Sequence, residues 1–148
     1  MAKVEVQVPA ALEPLFPFVK RAKVKHSNAF FESYAHLVTF AACVGFHRLD
    51  GTLAAGGARR TDQIEPIDWE YFGNDRLQTA LHLIALVASG GTEAVDDPDQ
   101  LCRLVEGFAA EGAKELVQLL KRVGDSSFHL ELGELLIQTF EQTGKVTI

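Results

Sequence analysis

Lys20, Arg21, Lys23, Lys25 and His26 crowd five nitrogen bases into one short stretch of chain. Such a cluster can neutralise phosphates, the main source of affinity for nucleic acids. Ser27 or Asn28 comes next and can cap a helix, whose first-turn amides would offer one more phosphate site. Upstream, Lys3-Val4-Glu5-Val6-Gln7-Val8 alternates polar and apolar residues until Pro9 stops it. Period two puts Val4, Val6 and Val8 on one face of a strand and Lys3, Glu5 and Gln7 on the other. Lys and Gln are residue types that read base edges, whereas Glu5 repels phosphate unless it accepts from cytosine N4. The candidate DNA contacts are therefore Lys3, Gln7, Lys20, Arg21, Lys23, Lys25, Ser27 and Asn28. The bland reading of the cluster is a solvated helix end, because cations favour helix C-termini.

Other chemistries find no support. His26, His36, His47, His82 and His129 form no His-Glu-x-x-His set, and there is no Cys-x-x-Cys pair, so no metal site is expected. His36 and His82 fall inside helical patterns and read as partly buried, hydrogen-bonded histidines. Asp96-Asp97-Pro98-Asp99 lacks the glycine and terminal glutamate of a calcium loop and reads as an acidic helix start. Gly56-Gly57 is not followed by Gly-Lys-Ser/Thr, and no Gly-x-Ser-x-Gly elbow occurs. Cys43 and Cys102 lie in apolar helical patterns, as buried reduced thiols do. No nucleophile, base and orienting group assemble. The expectation is a non-enzyme without a cofactor.

The elements that would position these residues follow from periodicity. Ala10 to about Lys20 reads as a short, irregular helix, with Leu12, Leu15, Phe16 and Val19 inward and Pro14 and Pro17 disturbing it. Ala29 to Val44 reads as a very apolar helix, with Phe30, Tyr34, Leu37 and Val38 on its stripe and Gly45 as terminator. His47 to Glu65 reads as a flexible loop carrying Arg59-Arg60, and Trp69 and Phe72 anchor the chain after it. Helices are expected over Arg76–Ala88, Asp99–Ala109, Lys114–Val123 and Leu130–Thr143, with Gly112 separating the middle two and Gly124 a stop. In the first, Leu77, Leu81, Ile84, Ala85 and Ala88 form the stripe, widened by Leu83, Leu86 and Val87.

The expected fold class is mainly α: five to seven helices with one short N-terminal β-strand, in one domain of 148 residues. Within it, residues 1–46 hold the strand and two helices, 47–65 the loop and 66–148 an acidic helical part. Residues 1–60 carry eight Lys and Arg against four Asp and Glu, while residues 61–148 carry six against sixteen. A lone strand cannot satisfy its own backbone. It pairs either with the same strand of a second subunit, as in ribbon-helix-helix DNA-binding proteins, or with an irregular segment of its own chain. The first reading, with the apolar Ala29–Val44 helix, predicts a homo-oligomer. No apolar run reaches the ~20 residues of a membrane span, and the polar start has no signal-peptide core, so an intracellular protein without a membrane partner is expected.

Several short segments, in order and spacing, resemble the DNA phosphorothioation (Dnd) system-associated protein 4 family. They are Phe40-Ala41-Ala42-x-x-Gly45-Phe46, Pro66-Ile67-x-Trp69-x-x-Phe72, Leu83-Ile84-Ala85-Leu86 with Gly90 after it, Asp96-Asp97, and Phe108-Ala109-x-x-Gly112. The Gly/Ala-rich loop around residues 51–60 is longer than the family pattern. The resemblance implies bacterial cytoplasm, antiviral defence, phosphorothioate-modified DNA and larger restriction or modification proteins as partners, and brings no catalytic residues. The leading expectation is an accessory, non-catalytic protein that binds double-stranded DNA as a homo-oligomer. The alternative is a helical protein–protein adaptor that docks on a larger component without touching DNA.

Overall fold

A computed structural model describes residues 4–22, 29–48, 59–74, 77–89, 97–124, 127–128 and 130–134. The order is strand β1 (Glu5–Val6), a 3₁₀ helix (Ala10–Phe18), α1 (Tyr34–Arg48), strand β2 (Ile67–Asp68), α2 (Trp69–Asn74), α3 (Leu77–Ser89) and α4 (Pro98–Val123). The molecule is thus mainly helical, with one short two-stranded antiparallel sheet at its N-terminus.

Pro9 opens the 3₁₀ helix, and Pro14 and Pro17 sit inside it. Prolines cannot supply the amides an α-helix needs, so the segment stays tight and irregular, as its sequence predicts. It still buries Leu12, Leu15, Phe16 and Phe18. The next helix begins later than Ala29. The amides of Phe30 and Phe31 donate to Phe18 O, and Lys20 donates to Phe31 O. That backbone is committed to the preceding turn, so Phe30 lies outside the helix and partly exposed. Ser33 then caps α1, its Oγ accepting from the His36 amide at 3.3 Å.

Gly45 does not end α1, and Gly112 does not divide α4. Both glycines mark one helix crossing. A Cβ on Gly45 would lie 1.9 Å from Phe108 O, and one on Gly112 would lie 1.8 Å from Ala41 O. The backbones of α1 and α4 touch there, which only a residue without Cβ permits. Asp97 caps α4 by accepting from the Gln100 amide, with Pro98 in the first turn. Gly124, at φ 82°, closes it, donating to Leu120 O at 2.8 Å.

Around this crossing the buried side chains form a cluster reaching from Val6 and Phe18 to Phe72, Leu81, Phe108 and Phe128. Trp69 and Phe72 anchor α2, as expected: Phe72 is fully buried, and Trp69 lies 5.5 Å from its ring. Cys102 is buried, but Cys43 is exposed, because its side of α1 faces outward. Residues 130–134 are helical and Leu132 is buried; the rest of the expected last helix, residues 135–143, lies outside the described residues. So does most of the expected loop. Its first two residues, His47 and Arg48, instead complete α1, and its other described part, residues 59–65, is held to the N-terminal strand by Ala10 N–H to Arg59 O and Thr61 N–H to Val8 O, both 2.7 Å.

Candidate functional site

The N-terminal strand was the expected DNA reader, and the structure gives it a different partner. β1 pairs antiparallel with β2 of its own chain, Glu5 opposite Asp68 and Val6 opposite Ile67. Trp69 N–H adds a bond to Val4 O at 3.0 Å. The alternation holds: Val6 and Val8 are buried and Val4 packs against the core. Within the chain, the strand has the partner that the intersubunit ribbon would supply, and two features fill its open sides. The apolar face is already covered by the chain's own core. The second edge of the strand is also occupied, by side chains of α4. Arg103 donates to Glu5 O at 2.9 Å, and Glu106 Oε2 accepts from the Gln7 amide at 2.8 Å. Arg103 and Glu106 are themselves paired at 2.8 Å. This ion pair takes the place of a third strand and closes the edge.

Glu106 is half-buried, and burial pushes its carboxyl above the usual glutamate value, against the pull of the Gln7 amide and Arg103. Glu5 and Gln7 are only half-exposed. Gln7 Oε1 accepts from Arg60 at 3.4 Å, and Glu13 Oε2 accepts from the Thr61 hydroxyl at 2.6 Å. Sequence spacing could not reveal this polar rim. Arg103 and Glu106 stand three apart on a helix, a recognisable pair, but nothing local ties them to a strand 98 and 99 residues away.

The basic cluster is only partly within the described residues: Lys3, Lys23, Lys25, Ser27 and Asn28 lie outside them. Lys20 pairs with Glu32 at 2.6 Å, both largely exposed. That contact holds the Glu32 carboxyl below its usual value. Arg21 is exposed and lines a cleft of about 520 Å³ with Glu5, Glu65, Asp68, Tyr34 and Tyr71. Three carboxylates against one guanidinium oppose a phosphate there. His36 is hydrogen-bonded to Ser33 at 2.8 Å, as expected of a helical histidine, and His82 stacks edge-on to Trp69 at 5.7 Å. Among the described residues no group of three His, Cys, Asp or Glu could hold a metal ion.

A second feature was misplaced by the sequence pattern. α3 buries Leu81, Ile84 and Ala85 as predicted, but Leu83, Leu86 and Val87 point outward, 59 %, 38 % and 63 % exposed. Their spacing, i, i+3 and i+4, makes one stripe. The thirteen residues of α3 include no Asp, Glu, Lys or Arg. The polar residues Gln78, Thr79 and His82 lie in the first half of the helix, so the exposed side over residues 83–88 is apolar.

A model of the DNA sulphur modification system-associated protein 4 family matches residues 6–146. The chain belongs to that family. The match spans nearly all of it, including β2, the glycine crossing and α3, so the family's description applies to nearly the whole described fold. That description makes the chain an associated protein of a DNA sulphur modification system, with an accessory place in it. No curated protein and no solved structure matches the chain. No described helix is long and apolar enough to cross a membrane.

Proposed function

We propose that this chain is a helical adaptor of the DNA sulphur modification system, docking on a larger modification or restriction protein through the outer face of α3. The observation that carries the reading is the bare stripe of Leu83, Leu86 and Val87 on a helix without a charged residue. Three large apolar side chains side by side in water form a contiguous patch, the kind of surface feature that supports a protein-binding site more than scattered exposed residues do. The described part of the DNA-contact set speaks less strongly. Gln7 is tied into a rim of Arg60 and Glu106, Lys20 is paired with Glu32, and Arg21 shares its cleft with three carboxylates. In this reading the chain has no catalytic role, and it works in the bacterial cytoplasm in antiviral defence.

The test is a pull-down from the native host with the tagged chain, with and without nuclease, the captured proteins identified by mass spectrometry. A modification or restriction component retained after nuclease, and lost with Leu83→Asp, is the expected result. Capture that disappears on nuclease treatment overturns it.

A second reading is duplex binding by a homo-oligomer through Lys3, Gln7, Lys20, Arg21, Lys23, Lys25, Ser27 and Asn28. It is favoured by the exposure of Arg21, Arg59 and Arg60. Fluorescence anisotropy with plain and phosphorothioate duplexes across a salt series decides it. Saturable binding, with a log–log slope that falls by about one unit per lost contact, supports it.

A further inference from the structure

We draw no further inference here: the strongest candidate, the exposed apolar stripe of Leu83, Leu86 and Val87 on the outer side of α3, already carries the adaptor reading, and nothing in the structure shows what covers it.

Discussion

Replacing Gly112 by alanine is the sharpest test of how this fold is held. On propensity alone the change should help, because alanine in a helix interior is favoured over glycine by about 1 kcal/mol. The crossing reverses the sign. The new Cβ would sit 1.8 Å from Ala41 O, 2.8 Å from its carbon and 2.9 Å from Gly45 N. Every one of these is backbone, so no side chain can swing away. Ordinary contact begins near 3.4 Å, so α1 and α4 must separate locally by roughly 1.5 Å. A gap of even 0.5–1 Å forfeits about a quarter to a half of each contact's attraction, and α1 and α4 share the most extensive packing in the molecule. Overpacking of this kind costs typically about 1–3 kcal/mol, and contact with rigid backbone belongs at the upper end. After the propensity gain the net loss is about 2 kcal/mol, or about 6 °C in Tm for a chain of this size. Gly133→Ala is the control: nothing lies within 4 Å of its Cβ, so it should gain up to about 1 kcal/mol. Urea denaturation of both variants gives the answer. A Gly112→Ala protein as stable as the parent, or more so, would refute the close crossing. Gly45→Ala should behave alike, and the double variant should lose less than the two singles together, since one opening relieves both clashes.

Glu106 sets a second expectation. Its carboxyl lies above the ordinary 4.5 because of burial, so the folded chain holds that proton more tightly than the unfolded one. Between 4.5 and the raised value its contribution therefore falls as pH rises; Glu106→Gln should flatten that part of the stability profile, read as urea midpoints across pH. Glu106→Ala should cost about 1 kcal/mol and speed exchange of the Gln7 amide, by leaving that partly buried donor without its acceptor. The two thiols should differ in alkylation rate: Cys43 reaches the surface and reacts in the folded protein, slowly because partial burial raises its thiol too, while Cys102, buried and pushed up to about 12, reacts only on unfolding. Labelling of both at one rate would contradict the packing of α4. Asp97→Ala should cost about 1 kcal/mol through loss of the α4 cap. Lys20→Ala should shift the urea midpoint less than Asp97→Ala does, since its pair with Glu32 is exposed to solvent.

Local signals in the sequence determined the character of most elements. The alternation of Val4, Val6 and Val8 marked a strand with a buried face, Pro14 and Pro17 an irregular first helix, and Asp97-Pro98 and Gly124 the ends of α4. Each signal depends only on near neighbours, through side-chain period, missing amides or caps, and so can be read without the fold. The family resemblance was legible for the same reason, from short segments in a fixed order. What the strand pairs with, whether Gly45 and Gly112 break helices or let them touch, and which apolar residues of α3 face the core were not legible. These are questions of which distant surfaces meet. Glycine reads as a stop in one dimension and as a contact in three, and the wholly apolar run over residues 83–88 has no period to say which side is covered. The N-terminal strand shows this most plainly. Its sequence demanded a partner, and two other parts of the same chain met that demand: Ile67–Asp68 on one edge, Arg103 and Glu106 on the other. Tertiary packing alone decided this, because Ile67–Asp68, Arg103 and Glu106 lie 61 to 99 residues from their partners in the strand.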